Sequence, residues 1–589
     1  MNESRGFARI LSIVRRIAWR PTRVVMVSFA AIVFFGVNLI SITTANADPY
    51  WTNAIEMPGL ATLNQNAAAP GPIVCTSAGN CVSGGEYSDG LANVQAFLSQ
   101  ETNGVWSSAT EIAAALNAGG EAGITALSCP SAGSCTAVGF YTDDSSVEHT
   151  FVINQVNGTW GFPTEVADFT SLTVNDVQEM DTLSCTSATS CVGLGTYFDN
   201  ATNVGQALIF TETNGVWATP VEAPGFATFN PNGVAVISTL ECPAATTCVA
   251  SGTVVQQNPV TLEPFLLDET NDVWSAPVAV PGLSALSVTN AAEVVSLSCG
   301  APGDCSAGGN YLDKSGASQA FLIEEVSGTW GAATQLFSTQ LLGSGLTNTL
   351  NAIDCPSAGN CSAVGTYADT QGLTQPFELT EANHVWSPAA EIPGIQALNS
   401  NAGSILTSIS CSAVGICSAG GSYTDATSNS QAFLVNEMNG TWSDPIEIPG
   451  TSTLNKGGAA NVNEVSCSSD GSCGVQGEYT DASSNIQLFV VNSSAVAPTT
   501  VSSVPRHVTA TVKKGVVTVR WSAPANNGGA AITSYRVVSL PRSRTCVTSA
   551  TSCTFKGLNK KLHYSFEVRA TNADGSSALS ARSNAVRAN

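Results

Sequence analysis

Carboxylates are the abundant reactive groups of this 589-residue chain, and seven of them recur at a near-constant interval: Asp89, Asp143, Asp199, Asp313, Asp369, Asp425 and Asp481. Each follows a strand-like segment ending in an aromatic residue, as in "GEYSD" and "GSYTD". Acids set in a ring could ligate Ca²⁺ through oxygen or hold basic groups; as paired acids they could cleave glycosidic bonds. The simpler expectation is turn chemistry, because Asp bends and caps a chain locally and a repeated residue usually serves the repeat. Other chemistries lack their residues. No arginine occurs between Arg23 and Arg506, so an arginine-lined carboxylate pocket is excluded there. Histidine-dependent nucleophilic catalysis would have to use His149 or His384, which precede a strand and replace Gly in an Asn-x turn. No residue is assigned as catalytic or cofactor-binding, and Ca²⁺ at the seven aspartates is the one metal reading.

Cysteine shows which elements must carry these residues. Eight C-x5-C pairs run through the chain: Cys75 with Cys81, Cys129 with Cys135, Cys185 with Cys191, Cys242 with Cys248, Cys299 with Cys305, Cys355 with Cys361, Cys411 with Cys417, and Cys467 with Cys473. With no histidine nearby, each reads as a disulfide clamping a hairpin rather than a zinc site, in an oxidising compartment. Tryptophan keeps the same beat, from Trp51 and Trp106 to Trp386 and Trp442. One tryptophan per period at a fixed strand position reads as packing between neighbours.

Within a period, residues 405–448 read as four short strands, with Asn439-Gly440 as a type I′ hairpin turn. No helical periodicity interrupts them. Repetition of such units predicts an all-β, eight-bladed β-propeller of four-stranded blades. Its ends are offset: "WTNAIEMPGLATLN" at 51–64 matches the last quarter of a repeat, whereas the eighth unit lacks that quarter. The N-terminal strand should therefore close the ring and remove its exposed edges. The stretches joining one unit to the next, such as 393–404, are long, varied and rich in Asn and Gln, as a binding rim would be.

Charge and composition divide the chain into 1–47, 48–494, 495–503 and 504–589. The first segment has six arginines before an apolar run and Ala45-Asn46-Ala47, the order of a signal peptide. Residues 48–503 hold two basic residues, Lys314 and Lys456, against 41 acids, a surface that repels nucleic acid and acidic lipid. A Ser/Thr/Pro/Val linker follows the repeats. Residues 504–589 carry 13 basic residues and two acids.

That last segment resembles a fibronectin type III domain, through Trp521 in "VTVRWSAPANNGG", "ITSYRVV" and "GLNKKLHYSFEVRATNADGSSALS". The resemblance implies an Ig-like sandwich with Tyr564 as its tyrosine corner and a local disulfide between Cys546 and Cys553. Residues 50–494, with "SCPSAGxC", "AVGxYxD", "QAFL" and "NGTW", resemble the cysteine-paired propeller repeats of exported actinobacterial proteins, which implies the fold and no defined activity. The expected role is a secreted or wall-associated binding or scaffolding protein, presenting loops to an extracellular glycan, wall polymer or protein. The competing class is a carbohydrate-active enzyme, a glycoside hydrolase or lyase, or an accessory to one.

Overall fold

The computed structural model describes residues 51–91, 93–167, 177–199, 204–257, 260–287, 290–336, 347–399, 402–493, 501–525, 532–572 and 575–588. The signal-peptide segment and most of the linker lie outside the described residues.

From Ala68 to Asn492 the chain repeats one antiparallel meander. In the seventh repeat the first strand is Ser404–Ala413, the second Ile416–Thr424 and the third Ser430–Met438, followed by two short outer pieces, Thr441–Trp442 and Ile446–Glu447. Alternation along these strands puts Ala419, Phe433 and Val435 in a core with no exposure, against Trp442. The Asn-Gly turns take positive φ at both residues, 51° and 82° at Asn103-Gly104, as the two-residue hairpin requires.

Two constraints shape each meander. The first strand carries a bulge, seen as a register shift between Leu406 and Ser408. Opposite it the second strand comes so close that only glycine fits: a Cβ on Gly421 would stand 1.9 Å from the Ile405 carbonyl oxygen. At Gly477 it would stand 2.2 Å from the Phe489 ring.

The second constraint is sulfur. Cys75 bonds Cys81, Cys129 bonds Cys135, Cys185 bonds Cys191, and Cys242 bonds Cys248. Cys299 bonds Cys305, Cys355 bonds Cys361, Cys411 bonds Cys417, and Cys467 bonds Cys473. All eight C-x5-C pairs are therefore disulfides, with Cα atoms 3.9–4.1 Å apart. In five repeats the two cysteines are also directly opposed strand partners, as in Cys411↔Cys417. In the other three the regular pairing shifts just beyond Ser128↔Thr136, Glu241↔Val249 and Asp354↔Ser362, and the sulfur bridge spans that irregularity. Each bond closes a loop so short that it contributes about 2–3 kcal/mol by restricting the unfolded chain.

Neighbouring repeats are joined through their first strands. The residue preceding the first cysteine accepts the backbone N–H of the next repeat's first cysteine. Cys185 donates to Ser128, Cys242 to Ser184, Cys299 to Glu241 and Cys355 to Ser298. Cys411 donates to Asp354 and Cys467 to Ser410. The series then returns to its start, because Cys75 N–H donates to Ser466 Oγ at 2.9 Å and Ile73 N–H to Glu464 at 2.9 Å.

The N-terminal strand completes the last repeat. Ile55 and Glu56 pair with Val490 and Phe489, and Trp51 bridges Ser493. Tyr479 donates to Glu56 at 2.6 Å, the bond that Tyr423 makes to Glu447 within the seventh repeat. The surplus strand thus supplies the missing carboxylate as well as the missing edge.

One expectation needs correction. The connections between repeats contain one-turn helices, Leu60–Leu63, Phe226–Phe229, Leu283–Leu286, Ile395–Asn399 and Thr451–Leu454. The asparagines that end several of these turns are buried and not part of a free rim, whereas Gln396 is exposed. Asn399 Nδ2 donates to Gln375 Oε1 at 2.8 Å, and Asn64 Nδ2 to the Ile486 carbonyl at 2.8 Å and Gln487 Oε1 at 3.1 Å. A single turn leaves no periodicity to read, and its buried first residue, such as Ile395, looks like any loop apolar residue.

The C-terminal unit is a two-sheet sandwich. Arg506–Lys513, Val516–Ser522 and Ser552–Phe555 form one sheet; Thr545–Thr548, Ser534–Leu540 and His563–Asn572, with Gly575–Ser576 and Val586–Arg587, form the other. Trp521 packs on Tyr535 with ring centroids 5.4 Å apart. Tyr564 Oη accepts the Asn559 N–H at 3.2 Å, and the disulfide between Cys546 and Cys553 ties the two sheets.

Candidate functional site

Apart from Asp199, the periodic aspartates sit at the start of the hairpin joining second and third strands, each on its own turn. Asp425 Oδ1 accepts the backbone N–H groups of Thr427 and Asn429 at 2.8 and 3.0 Å, and Oδ2 accepts Gln431 at 3.0 Å. Desolvation pushes its pKa up, but the bonds from Gln431, Thr427 and the two amides outweigh it and hold the carboxyl at about 2. Asp89, Asp143, Asp313, Asp369 and Asp481 accept the same two backbone bonds. Asp199 ends the strand Ser190–Asp199, and its side chain lies outside the described residues. No group of three His, Cys, Asp or Glu among the described residues is arranged to hold a metal ion. The six described side chains each cap their own turn.

His149 replaces the glutamine that follows the aspartate in most repeats. Its Nε2 stands 3.5 Å from Asp143 and its Nδ1 3.3 Å from Glu165, while the ring stacks on Tyr141 at 5.3 Å. Both ring nitrogens face carboxylates, so neither is directed at a nucleophile. His384 holds a φ of 60° in its turn, with Nε2 3.5 Å from Asp304 and Nδ1 3.9 Å from Glu381.

A second series of acids was not singled out by sequence reasoning. Glu101, Glu212, Glu269, Glu325, Glu381 and Glu437 precede the two-residue turns and are buried at the contact with a neighbouring repeat. The preceding repeat presents a partner to several of these sites. Asn492 Nδ2 donates to Glu101, and Asn154 Nδ2 to Glu212 at 3.5 Å. Where the facing residue is itself an acid, charges oppose. Burial, then Asp268 and Asp304, raise Glu325 to about 7; burial and the facing Glu324 raise Glu381. Glu378 is raised to about 7 by burial and Glu437. The signal for this series was present in segments such as "QETNGVW", as a glutamate two residues before the turn, but an acid beside a turn reads as exposed.

Where carboxyl groups of neighbouring repeats meet in this second series, they are closed to substrate. A glycosidic pair must flank an open cleft that admits a sugar ring, whereas Glu381 and Glu325 are about 4–5 % exposed. The arrangement can share protons between repeats. It cannot reach a polysaccharide.

Exposure singles out one aromatic side chain. Phe162 is 91 % exposed, and no other Phe, Tyr or Trp among the described residues is exposed. It follows Trp160 by two residues, where the other repeats carry smaller side chains such as Ser108, Ala276 and Ala332. The repeated tryptophans themselves pack inward: Trp51, Trp106 and Trp442 are buried, and Trp330 donates from Nε1 to Asp268 at 3.2 Å.

Among known proteins, residues 503–586 match the family model described as Fibronectin type III domain. The chain resembles the twitchin kinase region from C. elegans at 22% identity and TM-score 0.14, over 15% of this chain and 17% of that one. It resembles the GH74 xyloglucanase from Xanthomonas campestris at 10% identity and TM-score 0.40, over 90% and 81% of the two chains. A PL25 ulvan lyase resembles it at 9% identity and TM-score 0.37, over 60% and 89%. No curated protein matches.

Proposed function

We propose that residues 48–494 form a closed, eight-bladed β-propeller that binds an extracellular carbohydrate or protein ligand, and that residues 504–589 are a separate fibronectin type III module. The chain acts outside the cell, where oxidation keeps nine disulfides intact. The observation carrying the non-catalytic reading is how the carboxylates are used: the described hairpin aspartates bond their own turns, and the inter-repeat glutamates are buried. Phe162 gives the binding reading a place. An exposed ring offers an apolar face to a sugar or to a partner's apolar group.

The test is a glycan array probed with the intact protein, with release of reducing or unsaturated ends measured in parallel. Binding without release is expected, and Phe162→Ser should weaken it roughly tenfold, the loss of about 1.4 kcal/mol of stacking. Turnover abolished by substituting one acid in one repeat would replace this reading with the carbohydrate-active enzyme.

A further inference from the structure

The fibronectin-type module is strongly polarised along its length, and strand register shows how. Lys513 pairs with Val516 at one end of the first sheet, so the turn of Lys514 and Gly515 lies at that end. Phe555 pairs with Val517, which brings Lys556 to the same end. In the second sheet Leu540 pairs with Ser565 and His563 with Arg587, so the turn bearing Arg542 and Arg544 and the segment around Lys560 and Lys561 lie together. Two residues fix these pieces to one another. Arg544 donates from Nη1 to the carbonyls of Lys556 at 2.9 Å and Gly557 at 3.3 Å, and Arg587 from Nε to that of Lys560 at 2.8 Å. The chain enters at the other end, because Arg506 pairs with Ser522.

Eight of the module's 13 basic residues therefore converge on the pole opposite its entry point. No acidic side chain among the module's described residues lies at that pole. The module's two acids are Glu567 and Asp574, and Glu567 lies mid-strand opposite Val538, 3.1 Å from Arg582. Side chains of Lys513, Lys514, Arg542, Lys556, Lys560 and Lys561 are all exposed. Like charges held this close repel, and an ordered loop that keeps them together is stabilised by an anion. The loop is ordered: Lys561 N–H bonds Asn559 Oδ1 at 2.9 Å, and the Asn559 N–H is held by Tyr564.

We propose that this pole is a binding site for a linear anionic glycan. A narrow, flexible polyanion suits a cationic tip carried by a chain whose remainder is strongly acidic, since residues 48–503 would be repelled by any broad anionic surface such as a membrane. No Phe, Tyr or Trp, on which the bases of single-stranded nucleic acid would stack, is exposed among the module's described residues. The site's distance from the entry point argues against the propeller as its occupant. This inference concerns a different part of the chain from Phe162, so the two stand or fall separately.

The experiment uses the full chain and polygalacturonate as probe, with neutral dextran as control and inorganic polyphosphate as a non-glycan anion. A triple variant, Lys556→Glu, Lys560→Glu and Lys561→Glu, reverses the pole, and Arg506→Glu with Arg520→Glu reverses charges elsewhere on the module. Polygalacturonate should bind at low salt, the pole variant should lose at least about tenfold in affinity, and the other variant less than about twofold. Unchanged thermal midpoints would show that both variants fold. Equal losses in the two variants, tighter binding of polyphosphate than of the glycan, or absence of binding until salt releases the pole from the acidic part of the chain would overturn the proposal.

Discussion

Raising the pH from 5 to 8 is expected to lower the thermal midpoint of this protein by on the order of 10 °C. The cause is the set of buried acids with raised folded-state values. Burial puts Glu101, Glu325, Glu378 and Glu464 at about 7 and Glu241 at about 8, against an ordinary 4.5, and raises Glu381 further through Glu324. In the folded state these groups keep their protons to higher pH than in the unfolded chain. Their favourable contribution is therefore complete below about 4.5 and is lost as pH climbs through 7 to 8. The hairpin aspartates act in the opposite sense: Asp425, held at about 2, contributes above its unfolded 3.8 and loses that contribution as pH falls toward 2. Stability should thus peak between roughly pH 4 and 6. Glu381→Gln removes one facing charge while keeping a hydrogen-bonding amide, so it should raise the midpoint at pH 8 and leave it nearly unchanged at pH 5. A midpoint that is flat or rises between pH 5 and 8 would show that the buried acids are paired with something else.

Trp51→Ala should destabilise the protein by about 3–5 kcal/mol, the usual cost of emptying a buried tryptophan site. The value of this substitution lies in its comparison with Trp442→Ala. Both side chains are about 6 % exposed. Trp442 belongs to the seventh repeat, and Trp51 reaches its cluster, which includes Ala432, Val475 and Phe489, only because the N-terminal strand lies on the last repeat. Similar losses are expected from the two. A neutral Trp51→Ala beside a costly Trp442→Ala, in urea titrations of each, would mean that the N-terminal strand contributes nothing to the fold.

The repeat was legible because its punctuation is chemical. Cysteines that must oppose one another, Asn-Gly steps that need two positive φ values and a tryptophan per period survive as letters in the sequence. The offset of 51–64 against the unfinished last repeat was equally readable, and the pairing of Ile55 with Val490 follows from it. The polar contacts between repeats were not readable. The acceptance of Cys411 N–H by Asp354 joins residues 57 apart, and the same position is Ser in most repeats and Glu241 in another, so no pattern of residue type announces it. Burial of Glu381 was hidden for the same reason: its environment is made by Glu324 and Asp304, one repeat earlier. The connecting segments misled in part, because Asn64 and Asn399 look exposed until a neighbouring strand supplies their partners. Phe162 passed unnoticed because the sequence shows an aromatic residue without showing what fails to cover it.

The proposed closed propeller requires its first and last repeats to be joined as the others are. Amide hydrogen exchange on residues 487–492 of the intact protein tests it most directly. These amides should be as protected as those of the equivalent strand, 431–436, because strand 51–56 pairs with them on one side as the strand 473–480 does on the other. Rapid exchange at 487–492 with protection retained at 431–436 would contradict it.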